Sequence, residues 1–345
     1  MRTRTSVMSF LLLCTSQLSG PGSARADDPP ASARAGVFTP PDDIRFRRVD
    51  ILSEGVRLTG EVFRPKGRPE DEKLPAIILC HGWGGTANLL RPEAIAFARA
   101  GFLTVGFDYR GWGASDGRVI LVEPKPKSTG KGHEFTARVR EIREVVDPIE
   151  QTTDLQNVIH WAAGEPGVDA DRIGLWGSSY SGGHVVSAAA RDPRVKCLVS
   201  QVPALDSLWV VLGPQRALTL REATRMARGE AGYPEPGMLF LGSLRGAPVR
   251  AKLINYAPVE DAARAAQCAM LFLVAEKEEL FRNEDNARLA FERAKGPKEY
   301  IVLPGITHYG IYREARPKAI QLEVDWFQKH LEHGGQPRPR PLSGR

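Results

Sequence analysis

The stretch Arg172-Ile-Gly-Leu-Trp-Gly-Ser-Ser-Tyr-Ser-Gly-Gly183 joins an apolar strand-like run to a helical pattern rich in alanine. A nucleophile on such a tight strand-to-helix turn needs small residues two positions away on each side, because the strained backbone leaves no room for larger side chains. Gly177 and Ser181 hold those positions around Ser179, although Ser181 stands where glycine is usual. The helix would direct its first amides, beginning with Tyr180, toward an incoming oxyanion. The pattern favours a nucleophilic Ser179 over a flexible Gly/Ser linker.

Outward from this turn, short apolar runs alternate with helical patterns along the chain. Strands are predicted at residues 76–80, 102–107, 172–176, 195–201, 269–275 and 299–303, and helices at about 92–100, 150–163, 181–190, 285–294 and a last one up to 331. Strands that are apolar on both faces and separated by helices form a parallel sheet covered on both sides. Two earlier runs, 44–52 and 56–63, predict an antiparallel hairpin. The fold class is therefore α/β, and ligands are expected beyond the carboxyl ends of the strands.

Two segments interrupt the alternation. Residues 118–148 combine prolines, glycines and many charges, and they predict a long surface excursion. Residues 203–268 lie between two core strands, where an insertion of that length is often a lid or binding cap. Four of its side chains are candidates for an acyl pocket, with ordinary core packing as the alternative for each: Trp209, Leu212, Phe240 and Tyr256.

The two ends of the chain differ from its body. Residues 1–26 contain three arginines, a short apolar run at 7–13 and the small-residue site Ala24-Arg25-Ala26, which predict a signal peptide and an exported, periplasmic or secreted protein. The run is too short to span a bilayer. A lipoprotein modified at Cys14 and a cytoplasmic leader are the alternatives. Residues 27–43 and 333–345 predict a disordered lead-in and tail around a domain at 44–332.

Charge and cysteine content exclude several classes of function. The formal charge of +6 falls to +3 without the leader, and no dense basic stripe with interleaved aromatic residues appears, so nucleic acid is not an expected partner. Cys80, Cys197 and Cys268 are scattered in apolar runs, where a free thiol behaves as a small buried hydrophobe. Their number and spacing predict neither a disulfide framework nor a metal site. No cofactor or metal is expected.

A second loop, His81-Gly-Trp-Gly-Gly85, also follows an apolar strand. Such a loop lets a backbone N–H approach a substrate carbonyl from the side opposite Tyr180, and Trp83 is placed to supply it. His81 is a candidate base by residue type, but this position more often supports the loop.

The ordered set of motifs resembles the α/β-hydrolase superfamily, in the branch with Xaa-Pro-dipeptidyl-peptidase-like and dienelactone-hydrolase-like domains. The resemblance covers roughly residues 44–332. Its pieces are the early hairpin, the loop at 81–85, Asp108-Tyr-Arg-Gly-Trp-Gly-Ala-Ser-Asp116, the turn at Ser179, Leu271-Phe-Leu-Val-Ala-Glu-Lys-Glu278 and Pro304-Gly-Ile-Thr-His-Tyr-Gly-Ile-Tyr312. The resemblance implies an α/β-hydrolase fold and a cap insertion at about 203–268.

The same resemblance implies the remaining site residues. His308 matches the family's base and is expected in a loop after the strand at 299–303, where Gly305 allows a turn. Glu278 occupies the place of the acid, where the family usually has aspartate, and Glu276, Glu279 and Asp285 are local competitors. Asp108 matches a structural position that would brace the loop after it.

The function implied is two-step acyl transfer by a serine hydrolase. Ser179 would attack a carbonyl, His308 would take its proton, and the amides of Trp83 and Tyr180 would hold the oxyanion. A small-molecule ester or acyl compound is the expected substrate, cleaved by a carboxylic ester hydrolase. An Xaa-Pro-type peptidase or amidase is the alternative, and a non-catalytic binding protein on a hydrolase scaffold is the third.

Overall fold

The computed structural model describes residues 38–126, 133–206, 213–240 and 244–332. The predicted signal peptide, the lead-in up to residue 37 and the tail at 333–345 lie outside these residues, as do Trp209 and Leu212.

An eight-stranded sheet forms the centre of the fold, and its strands lie in the order Ile44–Ser53, Val56–Pro65, Leu103–Phe107, Leu74–Cys80, Val168–Ser178, Val195–Gln201, Ala269–Lys277 and Lys298–Thr307. The strands of the described residues are β1 (Ile44–Ser53), β2 (Val56–Pro65), β3 (Leu74–Cys80), β4 (Leu103–Phe107), β5 (Arg118–Leu121), β6 (Val139–Ile142), β7 (Val145–Val146), β8 (Val168–Ser178), β9 (Val195–Gln201), β10 (Ala247–Pro248), β11 (Ala269–Lys277) and β12 (Lys298–Thr307). β2 runs antiparallel to β1 and β4, and the other pairs of the large sheet are parallel. The α/β-hydrolase fold with its early hairpin is confirmed.

Helices flank the strands of this sheet. The α-helices of the described residues are α1 (Arg91–Arg99), α2 (Pro148–Gly164), α3 (Tyr180–Ala189), α4 (Arg216–Ala227), α5 (Arg250–Leu253), α6 (Pro258–Asp261), α7 (Leu289–Arg293) and α8 (Arg316–Phe327). The start of α2 illustrates how the sequence sets these bounds. Asp147 caps it by accepting the N–H groups of Ile149 and Glu150 at 3.0 and 3.1 Å, and Pro148 fits the first helical position because it needs no donor there.

The central strands are buried on both faces, as a parallel sheet between helices requires. Cys80, Cys197 and Cys268 are fully buried free thiols. Burial raises the pKa of Cys80 to about 12, so the thiol is neutral and packs as an apolar group.

The end of β12 differs from its prediction. The strand does not stop at Leu303 but continues through Pro304 to Thr307, which pairs with Lys277 of β11. The register shifts between Ala275 and Lys277, and Gly305 has a φ of 71°, a left-handed conformation that glycine adopts without strain. From one pair to the next, β12 advances four residues, from Leu303 to Thr307, while β11 advances two, so the turn expected at Gly305 is a bulge in which the sheet absorbs two extra residues.

The two interrupting segments contact each other through a short strand pair. Within 118–148, β5 and β6 form a separate antiparallel hairpin, and β7 pairs in parallel with β10 from the segment at 203–268. That segment connects β9 to β11 and carries α4, α5 and α6. Across the described ranges, no helix is long and apolar enough to cross a membrane.

Candidate active site

Ser179 lies between β8 and α3 in a strained backbone conformation. Its φ is 57° and its ψ is −122°, a region that costs a non-glycine residue about 1–3 kcal/mol. Hydrogen bonds hold this geometry: the Ser179 N–H donates to Gln201 at 2.9 Å, and its carbonyl accepts from Gly182 and Ala204, each at 3.0 Å. The turn thus projects the Ser179 side chain beyond the carboxyl end of the sheet, because the strand and helix on either side are both fixed.

The small residues around Ser179 have separate reasons to be small. A Cβ at Gly177 would collide with the carbonyl oxygen of Ser181. Ser181 is fully buried, and its hydroxyl accepts the Ser178 N–H at 2.9 Å and lies 2.7 Å from the Cys80 carbonyl, to which it donates. Ser181 therefore links the turn to β3, a bond that glycine at this position would not make.

His308 lies between Ser179 and Glu278. Its Nε2 is 3.1 Å from the Ser179 Oγ, and its Nδ1 is 2.9 Å from the Glu278 Oε2. The side chains of His308 and Glu278 are each only 2% exposed, so water competes little for their bond. Glu278 Oε1 also accepts the Leu280 N–H at 3.1 Å, which fixes the carboxylate. The three side chains form one chain of hydrogen bonds that ends on the Ser179 hydroxyl.

The competing carboxylates have other partners. Glu276 accepts the Gly305 N–H at 2.7 Å and so closes the bulge in β12. Glu279 accepts the backbone N–H of His308 at 2.6 Å and holds the main chain rather than the imidazole. Asp285 is half exposed and lies 3.7 Å from Arg282. Glu278 is the carboxylate that reaches the His308 ring.

The loop at 81–85 lies against Ser179 from the β3 side. A Cβ at Gly82 would be 2.9 Å from the Ser178 carbonyl oxygen and 3.1 Å from the Ser179 Cβ, so only glycine allows this approach. Trp83 follows directly, and its ring centroid lies 4.9 Å from that of Tyr180, the first residue of α3. The structure thus brings the side chains of the two residues named for the oxyanion into contact next to Ser179.

His81 and Asp108 support the loops around the site. The His81 Nδ1 is 3.0 Å from the Gly82 carbonyl, and burial lowers the pKa of His81 although Asp108 acts against this. Asp108 accepts the N–H of Ala87 at 2.7 Å and that of Ala114 at 2.9 Å. Asp108 therefore braces two loops, including the one that follows it, as expected.

The two described cap candidates differ in their surroundings. Tyr256 is buried, and its hydroxyl lies 2.6 Å from the Nδ1 of His184, whose pKa burial lowers to about 3. Tyr256 therefore packs in the core beneath α3. Phe240 is partly buried and stacks on Trp83, with ring centroids 4.6 Å apart.

The sequence analysis assigned no role to three polar residues near the site, Ser178, Gln201 and Tyr312. The Ser178 hydroxyl lies 2.6 Å from the Tyr312 hydroxyl and accepts from the Gln201 amide at 2.8 Å. No motif signals this contact, because it joins residues 134 positions apart in sequence.

Among the described residues, no group of three or more His, Cys, Asp or Glu side chains is arranged to hold a metal ion.

Comparisons with known proteins agree with the α/β-hydrolase fold. A model of the X-Pro dipeptidyl-peptidase (S15) family matches residues 54–232. An uncharacterized 31.7 kDa protein from the traX-finO intergenic region of Escherichia coli is 35% identical over 81% of this chain and 98% of its own length. A thiohydrolase, aneE, of Aspergillus aculeatus is 26% identical over 48% of this chain and 43% of its own. The solved α/β hydrolase GrgF of Penicillium superposes with a TM-score of 0.64 at 22% identity, covering 84% of this chain and 99% of its own.

Proposed function

The chain is a hydrolase that belongs to the X-Pro dipeptidyl-peptidase (S15) family of α/β-hydrolases. From that premise we propose that it cleaves carboxylic esters through an acyl-enzyme on Ser179. The observation that carries the proposal is the hydrogen-bond chain from Glu278 through His308 to the Ser179 hydroxyl. A base within reach of the nucleophile, itself oriented by a third group, is the geometry of nucleophilic catalysis.

The proposed reaction has two steps. The Ser179 oxygen attacks the substrate carbonyl while the His308 Nε2 takes its proton, and His308 then gives that proton to the leaving alcohol. Water enters, is deprotonated by His308 and attacks the acyl carbon, which releases the acid and returns the proton to Ser179. Glu278 holds the His308 Nδ1–H and stabilises the imidazolium formed in each step. The amides of Trp83 and Tyr180 receive the negative charge on the carbonyl oxygen.

Esters are the first choice because an ester carbonyl is less stabilised by resonance than an amide carbonyl, and because an alkoxide leaves more readily than an unprotonated amide nitrogen. This machinery therefore cleaves small activated esters most readily. A peptidase or amidase of the Xaa-Pro type is the second candidate, and the family-model match over residues 54–232 favours it. Because one relative is a thiohydrolase, a thioester is a third acyl substrate to test.

Hydrolysis of p-nitrophenyl acetate, an acetyl thioester and a glycyl-proline p-nitroanilide by the purified protein tests the proposal. We expect ester turnover well above anilide turnover, and loss of both in Ser179→Ala. Turnover of the anilide alone would favour the peptidase. No turnover of any substrate, with no labelling of Ser179 by a fluorophosphonate, would favour a non-catalytic binding protein.

A further inference from the structure

Two short arms of the segment at 203–268, residues 238–240 and 244–246, pair with each other beside the loop at 81–85. The Gly246 N–H donates to the Met238 carbonyl at 2.7 Å, and the Phe240 N–H donates to the Leu244 carbonyl at 2.9 Å. We call these residues the hairpin arms.

The base of the hairpin arms is fixed to the core. Gly246 leads directly into β10, which pairs with β7. Gly246 has a φ of 95°, and a Cβ there would lie 2.6 Å from the Trp112 ring. The Trp112 indole in turn donates to the Val145 carbonyl at 3.0 Å and is buried. The base of the arms therefore lies directly against the Trp112 ring, and any larger residue at position 246 would push the arms away from it.

The hairpin arms hold Trp83 through its side chain and its loop. The Trp83 indole N–H donates to the Gly246 carbonyl at 2.9 Å. The Phe240 ring stacks on the Trp83 ring with an interplanar angle of 17°. The next residue of the loop, Gly84, approaches so closely that a Cβ there would be 2.7 Å from the Arg245 carbonyl oxygen. These contacts leave Trp83 little rotational freedom.

We propose that the hairpin arms aim the backbone N–H of Trp83 at the oxyanion, with Phe240 as a positioning residue that acts through the Trp83 ring. The inference rests on the proposed function of Ser179 and Trp83. An oxyanion donor works only when it is held in place before charge develops, and a displacement of about 1 Å can cost roughly 100-fold in rate. Because the donor serves the transition state more than bound substrate, loosening it lowers kcat more than it raises KM.

Kinetics of Phe240→Ala test whether Phe240 positions Trp83 or instead lines a pocket for the acyl chain of the substrate. With p-nitrophenyl acetate and octanoate we expect kcat to fall about 10-fold for both esters and KM to change less than about threefold, since every ester develops the same oxyanion. Phe240→Tyr should restore most of the rate, because it keeps a stacking ring. Leu239→Ala is the matched control, since that side chain is 63% exposed in the same arm. Thermal unfolding of each variant checks that the fold is retained.

Two outcomes would overturn the inference. A KM that rises for octanoate alone, with kcat retained, would make Phe240 a wall of an acyl pocket, and unchanged kinetics would leave it without a positioning role. The rate at which a fluorophosphonate labels Ser179 separates this failure from failure of the ester proposal. If the fluorophosphonate labels the wild type but the wild type cleaves no ester, the proposed substrate class is wrong. In that case, slower labelling of Phe240→Ala than of the wild type still supports the positioning role of Phe240. Labelling of both proteins at the same rate contradicts it.

Discussion

The hydroxyl oxygens of Tyr312 and Ser178 are 2.6 Å apart, and this bond ties the turn that follows His308 to the residue before Ser179. Burial raises the pKa of Tyr312, so the phenol keeps its proton and can donate it to Ser178. The Gln201 amide also donates to the Ser178 oxygen, at 2.8 Å. The position of His308 relative to Ser179 therefore depends on a second link besides the imidazole bonds.

Tyr312→Phe removes that link and keeps the ring. A neutral hydrogen bond of this kind contributes about 1 kcal/mol, so we expect kcat for ester hydrolysis to fall roughly fivefold with little change in KM. The comparison variant is Tyr309→Phe, since Tyr309 is 40% exposed on the same turn. Steady-state kinetics of both variants measure the effect, and an undiminished kcat in Tyr312→Phe would show that the link does not position His308.

Ser179→Ala and His308→Ala should each lower kcat by several orders of magnitude, and the double variant should be no slower than the slower single one. Residues that act as a unit lose their whole joint contribution when either is removed. The measurement is residual ester hydrolysis by all three variants, with circular dichroism to confirm folding. A double variant with the product of the two single losses would mean that the residues act independently.

Glu278→Gln should lower kcat by about two to four orders of magnitude with KM nearly unchanged, because an amide can favour the wrong imidazole tautomer and cannot stabilise the imidazolium. Glu276→Gln is the matched control. Its carboxylate accepts the Gly305 N–H, and an amide oxygen can replace it in that bond. Near-full activity of Glu278→Gln would refute the proposed role of Glu278.

Most of the fold could be predicted because the central strands are buried on both faces and form uninterrupted apolar runs such as 76–80 and 195–201. The end of β12 could not be predicted from the sequence. Pro304 and Gly305 are ordinary signs of a turn, yet the sheet absorbs them in a bulge that Glu276 closes from β11. That outcome depends on pairing with a neighbouring strand, which local sequence does not contain.

The site shows the same division. The strand-to-helix turn pattern named Ser179, and the resemblance to the family named His308 and Glu278. The structure brings the three side chains into one hydrogen-bond chain, and their catalytic roles remain the proposal tested above. The contact of Tyr312 with Ser178 could not be predicted, because the two hydroxyls lie 134 positions apart in sequence and no motif links them. The hairpin arms were hidden for a related reason: their effect on Trp83 arises from packing between distant segments.

A buried acid, Glu323, predicts that the stability of the protein depends on pH. Glu323 of α8 is fully buried, and burial raises its pKa to about 8; the nearby Glu93 adds to the rise, while Trp176 and Arg316 oppose it. An acid in the unfolded chain loses its proton near the ordinary glutamate pKa of about 4.3. Between these two values the folded state keeps a proton that the unfolded state has released.

Unfolding in that window releases this proton, so the contribution of Glu323 to the free energy of unfolding falls as pH rises, by about 1.4 kcal/mol per pH unit, and becomes constant above the folded-state pKa. Glu323→Gln cannot ionise and removes this slope. Relative to the wild type, we expect the variant to gain about 2 kcal/mol of stability between pH 6 and pH 8. Urea denaturation of both proteins at the two pH values measures the difference, and groups common to both cancel. Glu299→Gln, a change at an exposed strand position, should show no such gain. Parallel stability curves for Glu323→Gln and wild type would mean that Glu323 is ionised in the folded protein.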